Sequence, residues 1–377
     1  MLSSERRYDI DWLRVIAIGL LLIYHIAIGF QPWGLFIGFI QNSDSLESVW
    51  VPMSMLNVWR IPFLFFVSGM GVCFAISRRN WKALLKERAQ RILIPFLFGM
   101  AAIVPLHVIL WQDYYNQDMT YVFNPAHLWF LGNICVYVLV LCPVFFYLKA
   151  HREGKLHQFI KRLYANPLGL LLIMLPFIAE AMIVNPLSFE TYAMTWHGFY
   201  LGFLAFFFGF TFVYAGPALW HTIVRWRFIL ILLALGLYGY RLLFLELRSP
   251  NWLMSVESCL WIFSVMAFGH KHLNKNSQSL KYLSEAAYPV YILHMAFLYL
   301  AAWLVFPLDI NVWLKFALSI LITGAGCMLT YELLVKRVGL LRLLLGLKAK
   351  VRTAEKVKND NIQKEAIDKA DLTVKVE

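Results

Sequence analysis

Charged side chains are scarce in this sequence: Asp, Glu, Lys and Arg make up 15% of its 377 residues, whereas 60% are hydrophobic. A water-soluble domain cannot bury so much apolar surface, so the composition excludes a soluble globular protein. Instead it predicts an all-α polytopic membrane protein, whose partner is the lipid bilayer. The formal net charge of +12 does not indicate a nucleic-acid partner, because the basic residues lie in short segments between apolar runs.

Cysteine pairs are also missing. The five cysteines lie singly in apolar segments, without Cys-x-x-Cys spacing or a metal-ligand cluster: Cys73, Cys135, Cys142, Cys259 and Cys327. We interpret them as small core residues, and we expect neither a metal site nor a permanently bound cofactor. No small-residue cleavage site follows the first apolar run, which indicates an uncleaved span rather than a signal peptide.

Ten apolar runs are long enough to cross a bilayer as helices. They cover residues 11–30, 51–77, 92–111, 127–148, 167–184, 196–215, 228–247, 251–269, 285–305 and 313–334. We therefore predict about ten transmembrane helices in a domain at 1–347. The charged residues 348–377 are predicted to form a disordered cytoplasmic tail.

Lysine and arginine are absent from four of the connecting segments. Residues 31–50, 112–126, 185–195 and 306–312 contain neither, whereas 29 of the 34 Lys and Arg residues lie in the alternate segments and near the two ends. Because basic loops stay on the cytoplasmic side of a membrane, both termini are predicted to be cytoplasmic.

The first apolar run carries two ionisable residues, Arg14 and His25. Eleven helical steps separate them, which is about 16 Å, roughly half the hydrocarbon thickness. Ionisable residues within a span usually mark a pathway or a reaction centre. In the structural alternative Arg14 snorkels to the headgroups and His25 has a satisfied proton. Taken together, the two residues favour a functional role over this structural alternative. His25 taken alone favours neither interpretation.

Other polar residues of the runs are predicted to form two layers. The cytoplasmic layer includes Arg88 and Arg91, and the outer layer includes Arg60, Glu257 and His127. Spacing alone favours a topological role for the two arginines of the cytoplasmic layer, although residues three apart on a helix can also bind phosphate together. Burying the arginine or the glutamate of the outer layer without a partner would cost several kcal/mol, so each needs a partner or a wet cavity.

Several further residues are interpreted as structural. They are Glu180, Arg241 and Glu246 as ion pairs between helices, Glu332 as a partner of Lys336 and Arg337, and Ser68-Gly69 as a site of close helix approach.

His25 predicts a specific chemistry. A neutral imidazole can remove the proton of an acceptor hydroxyl as that oxygen attacks a carbonyl, which is worth roughly 10²–10⁴-fold in rate. A buried cation such as Arg60 can stabilise the oxyanion that forms.

Motifs along the chain resemble, in order, those of the acyltransferase 3 family. They are Arg14-x10-His25, Arg60 with Phe65-Phe66-Val67-Ser68-Gly69, Arg88-x-x-Arg91 with Pro95, His127-Leu128-Trp129-Phe130-Leu131, Ser284 with Tyr288-Pro289-Val290-Tyr291-Ile292-Leu293-His294, and Tyr331-Glu332. The resemblance runs from about residue 6 to residue 347. Glu257 and Phe268-Gly269-His270 are similar to the branch that contains glucan biosynthesis protein C, a succinyltransferase of periplasmic glucans.

The resemblance implies a multi-pass enzyme of the bacterial inner membrane. It implies transfer of an acetyl or succinyl group from cytoplasmic acyl-CoA to a hydroxyl of a periplasmic or lipid-linked glycan. Many relatives pass the acyl group to a fused extracytoplasmic domain, which this sequence does not contain. The acceptor is therefore expected to reach the membrane core itself or with the help of a partner protein.

Residue roles are predicted on the same basis. His25 is the base or a transient acyl carrier, and the predicted catalytic set also contains Arg14, Arg60 and Glu257. Arg88 and Arg91 are predicted to bind CoA, and His127, Trp129 and His294 to bind substrate.

An alternative from another class is a multi-span transporter or exporter of a polar or lipid-linked substrate, which would use the same buried charges as a pathway. The sequence has no detectable repeated half and no matched pair of broken helices, features that many secondary transporters show. This favours the enzyme.

Overall fold

A computed structural model describes residues 7–348, and the regular secondary structure in that range is helical throughout. The α-helices in chain order are α1 (Tyr8–Ile28), α2 (Glu47–Ile76), α3 (Trp81–Tyr114), α4 (Ala126–Ala150), α5 (Lys155–Tyr164), α6 (Pro167–Val184), α7 (Trp196–Tyr214), α8 (Pro217–Phe244), α9 (Asn251–His272), α10 (Gln278–Val305), α11 (Val312–Val335) and α12 (Gly339–Leu344). All except α5 and α12 are long and apolar enough to cross a membrane. The predicted set of ten spans is confirmed. The predicted tail lies, apart from residue 348, outside the described residues.

Two helices begin well before their apolar runs. α3 begins at Trp81 and α8 at Pro217, whereas the runs predict starts at 92 and 228. Backbone hydrogen bonding can continue a helix beyond the hydrocarbon, where its side chains need not be apolar. Arg88 and Arg91 therefore lie on a helix rather than in a loop, and a π-helical turn at Ala89–Leu93 begins between them.

The centre of the bundle is α2, most of whose residues are buried. It packs closely on α7, because a Cβ atom at Gly69 would overlap the carbonyl oxygen of Phe206 and one at Gly209 would overlap that of Phe66. Small residues allow this approach of two helix backbones in a membrane, where packing replaces the hydrophobic effect. The predicted close approach at Gly69 is confirmed.

Around this pair, α1 packs against α2 and α10, and α10 packs against α3. The outer helices α8 and α11 leave many apolar side chains exposed, as expected for surfaces that face lipid. Residues of α1, α2, α3, α4 and α10 line a common cavity, among them the polar side chains of His25, His107 and His127.

Candidate active site

Arg14 and His25 lie on one unbroken helix, α1. Eleven steps of about 100° bring them to nearly the same face, about 16 Å apart along the axis. Arg14 lies in the wall of one cavity and His25 in the wall of a second. The helix that carries both residues therefore connects the two cavities.

The first cavity, which we call the basic cavity, has a volume of about 980 Å³. Eight of its lining side chains are basic, Arg7, Arg14, Arg78, Arg79, Arg88, Arg91, Lys149 and Arg152, and two are acidic, Asp11 and Glu87. Among the described residues its lining is thus strongly positive. Such a surface attracts an anionic ligand.

Glu87 holds three arginines of the basic cavity together. Its carboxylate oxygens lie 3.5 Å from Arg79 Nη1, 3.6 Å from Arg88 Nε and 3.2 Å from Arg91 Nη1. Arg88 also donates to the carbonyl oxygen of Gly71, at 3.3 Å. One carboxylate against three guanidinium groups orients the cations but leaves them with net positive charge.

The second cavity, which we call the histidine cavity, has a volume of about 570 Å³. Its lining includes three histidines, His25, His107 and His127, and a set of aromatic residues, Phe39, Trp111, Trp129, Phe130, Tyr291 and Tyr299. His25 is thus brought to one site with His127 and Trp129, which belong to a different motif of the sequence.

A chain of hydrogen bonds runs from His25 into the protein. His25 Nδ1 lies 2.9 Å from His294 Nε2, and the two rings stack with an interplanar angle of 6°. His294 Nδ1 donates to the carbonyl oxygen of Tyr291 at 2.6 Å. The ring of His127 meets that of His294 edge to face, with centroids 5.1 Å apart. His294 is fully buried and lies behind His25 rather than in the described cavity lining.

The two cavities approach each other end to end along α2. Leu64 lines the histidine cavity and Val67 lines the basic cavity. Three residues of helix rise by about 4.5 Å, so less than one helical turn separates the two linings here. The linings of the two cavities therefore come close to each other at this point of α2.

Arg60 is buried against an aromatic ring instead of an acid. Its guanidinium carbon lies 3.7 Å from the centroid of the Tyr24 ring, and its side chain is 2% exposed. Arg60 Nε and Nη1 have no hydrogen-bond partner among residues 7–348. Nearby, Tyr192 donates its hydroxyl to the carbonyl oxygen of Val58 at 3.1 Å, and burial raises the pKa of this hydroxyl well above its usual value.

Glu257 makes a bidentate ion pair with Arg241, with distances of 3.0 Å and 3.1 Å. A second glutamate, Glu190, lies 3.6 Å from Arg241. Glu257 is not among the residues that line the two cavities. Arg60 is not among them either, so of the predicted catalytic residues only Arg14 and His25 line the cavities.

The interpretation of Glu180 and Arg241 as ion-pairing residues is confirmed, although their partners are not each other. Glu180 accepts a hydrogen bond from His197, at 3.0 Å. The predicted pair between Glu332 and Lys336 is present, also at 3.0 Å.

Sequence reasoning missed His107 and Trp111, both on α3 and both in the lining of the histidine cavity. Their spacing of four residues is the only local signal, since it places them on one helical face. No group of three or more His, Cys, Asp or Glu side chains in residues 7–348 has the geometry to hold a metal ion.

A family model, that of the acyltransferase 3 family and described as an acyltransferase domain, matches residues 7–332. Comparison with curated proteins gives no match, and neither does comparison with solved structures.

Proposed function

The chain belongs to the acyltransferase 3 family, and on that premise we propose that it transfers an acyl group from acyl-CoA to a hydroxyl of a glycan or lipid-linked sugar. The donor occupies the basic cavity and the acceptor occupies the histidine cavity. One observation carries this proposal: Arg14 and His25, on one helix, line two cavities whose linings come within one helical turn of each other along α2.

The positive charge of the basic cavity supports acyl-CoA as the donor. Coenzyme A carries a diphosphate and a third phosphate, and guanidinium groups bind phosphate oxygens in pairs. Arg88 and Arg91, held by Glu87, offer such donors. We place this cavity on the cytoplasmic side of a bacterial inner membrane, because basic segments stay inside.

The unpaired polar atoms of the histidine cavity support the binding of a hydroxyl-bearing acceptor there. His127 Nε2 donates to the carbonyl oxygen of Ile292 at 3.1 Å, so its Nδ1 is an acceptor. That Nδ1 and the Nε1–H of Trp111 are buried without a partner in residues 7–348. Such atoms cost about 1–3 kcal/mol each unless a ligand pairs them. Trp129 adds an aromatic ring on which the apolar face of a sugar can pack.

His25 is the base in the proposed reaction. The acceptor oxygen forms a bond to the thioester carbon as His25 removes the hydroxyl proton. The positive charge of Arg60 stabilises the negative charge on the carbonyl oxygen. The C–S bond then breaks, and the departing thiolate takes the proton from His25, so that free CoA leaves.

A second route uses the same geometry. His25 Nε2 attacks the thioester carbon, and the C–S bond breaks so that CoA leaves as a thiolate while the ring nitrogen carries the acyl group. The acceptor oxygen then attacks this acyl carbon, the C–N bond breaks, and the hydroxyl proton goes to the thiolate, which leaves His25 neutral and CoA as the free thiol. Mixing the protein with acyl-labelled donor in the absence of acceptor separates the two routes. Only the second route transfers the label to His25.

The proposal is tested with purified protein in lipid vesicles and radiolabelled acyl-CoA. We expect release of free CoA that increases when glycan acceptor is added, with label appearing on the acceptor. Movement of solute across the vesicle membrane without any consumption of acyl-CoA would contradict the proposal and favour the transporter.

For the donor site, replacing Arg91 with alanine is expected to weaken acyl-CoA binding about tenfold, since one charge-assisted hydrogen bond is worth roughly 1.5–3 kcal/mol and this side chain is partly exposed. Binding should also become less sensitive to salt. The same direction is expected for Arg88→Ala. Titration of acyl-CoA at several salt concentrations measures both effects, with Lys82→Ala on the same helix as the control. Unchanged affinity for acyl-CoA in both arginine variants would indicate that these residues have only a topological role.

For the basic cavity, Gly71→Phe is expected to reduce acyl transfer on the order of 10²-fold, because displacing the reacting group of the bound donor by about 1 Å can have that effect. Gly71 lines the basic cavity, and a Cβ atom there would meet nothing within 4 Å. A Cβ atom is therefore accommodated at this position of the cavity wall, and the ring attached to it reduces the space for the donor.

The matched control is Gly19→Phe. Gly19 is exposed on α1, and a Cβ atom there would also meet nothing within 4 Å. Equal activity of the two phenylalanine variants would show that the donor does not pass Gly71.

A further inference from the structure

His294 is the most completely buried polar residue next to His25. Its side chain is 0% exposed, and its ring contacts are His25, His127 and Tyr291, none of which is an anion. All three of these residues line the histidine cavity, whereas His294 itself is not in that lining.

The hydrogen bonds of His294 determine where its proton lies. A carbonyl oxygen only accepts, so His294 Nδ1 must carry the hydrogen that it donates to Tyr291. A second proton on Nε2 would make a fully buried cation without a counter-ion, near the charge of Arg60, which is unfavourable. His294 is therefore neutral, and its Nε2 has a lone pair.

That lone pair in turn determines the tautomer of His25. Of the two nitrogens 2.9 Å apart, His294 Nε2 accepts, so His25 Nδ1 carries the hydrogen. The second ring nitrogen of His25, Nε2, is then unprotonated. His25 lines the histidine cavity, where this nitrogen is available to an incoming hydroxyl.

We infer that His294 is a positioning residue, which fixes His25 in the tautomer with a free Nε2 and accepts its Nδ1–H more strongly once His25 has gained a proton. This inference rests on the proposed function only for its effect on rate. It replaces substrate binding as the role of His294. The arrangement follows the general rule that a third group orients a catalytic base.

Two substitutions of similar size separate positioning from packing. The Oε1 atom of His294→Gln takes the place of Nε2 and can accept from His25, whereas the shorter His294→Asn reaches only toward the Tyr291 carbonyl. We expect kcat to fall on the order of 10²-fold in His294→Asn and His294→Ala, the lower end for loss of a general base. His294→Gln should recover most of that loss, and KM for acyl-CoA should be unchanged in all three.

The tautomer is measured without any substrate. In protein labelled with ¹⁵N-histidine, the ring nitrogens of His25, assigned by comparison with His25→Gln, are expected to show a protonated Nδ1 and an unprotonated Nε2. His294→Asn should lose this pattern and His294→Gln should keep it. A protonated Nε2 in the wild type would overturn the inference.

The rate measurements give an independent check. If His25→Ala removes acyl transfer while His294→Asn transfers as fast as His294→Gln, the inference fails and the proposed function stands. If the wild type consumes no acyl-CoA, the proposed function fails, and the tautomer pattern alone decides the inference.

Discussion

Replacing His25 with alanine is expected to slow acyl transfer by roughly 10²–10⁴-fold, the usual contribution of a general base. Acyl-CoA should bind with nearly unchanged affinity, because the positive charge that attracts the donor lies in the basic cavity. Arg14 of that cavity is about 16 Å from His25 along the axis of α1. The measurement is the rate of free CoA release with saturating donor and acceptor, together with a separate titration of the donor.

Two variants make this result interpretable. His25→Gln keeps a polar side chain beside His294 and should be as slow as the alanine variant, because an amide does not remove the proton of a hydroxyl. His221→Ala removes an exposed histidine outside the described cavity linings and should transfer at the wild-type rate. Wild-type turnover in His25→Ala would exclude both the base and the acyl-carrier routes.

The spans could be predicted from the sequence because lipid imposes a simple requirement. A helix that crosses the hydrocarbon needs about 20 apolar residues, and each of the ten apolar runs overlaps a helix of the structure over most of its length. Helix ends beyond the hydrocarbon do not obey this requirement. The early starts of α3 and α8 were therefore not predictable from apolar runs.

The candidate site could be predicted only in part. Arg14 and His25 stand out because each is ionisable within one apolar run, and this signal is local. The pairing of His25 with His294 joins residues 269 positions apart, and no periodicity reports it. The only local signal for Trp111 is its spacing of four residues from His107, and this signal is weak because a single tryptophan in an apolar helix is an ordinary lipid-facing or core residue.

Buried charges show the same division between local and distant information. The sequence indicates that Glu257 needs a partner, since an unpaired carboxylate is costly in a span. It does not indicate which of several cations that partner is. In the structure the partner of Glu257 is Arg241, whereas Arg60 packs on the ring of Tyr24. The catalytic role of Glu257 stays a prediction, and its contact with Arg241 supplies a structural role that can be tested separately.

Replacing Glu257 with alanine is expected to destabilise the fold by roughly 3–5 kcal/mol, because it leaves Arg241 buried with its main partner removed. Arg241 is 1% exposed, and the remaining carboxylate, that of Glu190, is 3.6 Å away. That longer contact can compensate only in part. Thermal or denaturant unfolding of the purified protein in detergent measures the loss, and the exposed Glu153→Ala serves as the control.

The double variant Arg241→Met, Glu257→Leu should recover much of the stability lost in either single variant, since apolar side chains of similar size can replace a buried ion pair without an unpaired charge. If the double variant is as unstable as Glu257→Ala, the ion pair is not the source of the loss. Acyl transfer by the double variant, measured where it is folded, then separates the two roles of Glu257. A folded double variant with greatly reduced transfer supports catalysis, because the structural role predicts a defect that disappears when the fold is restored.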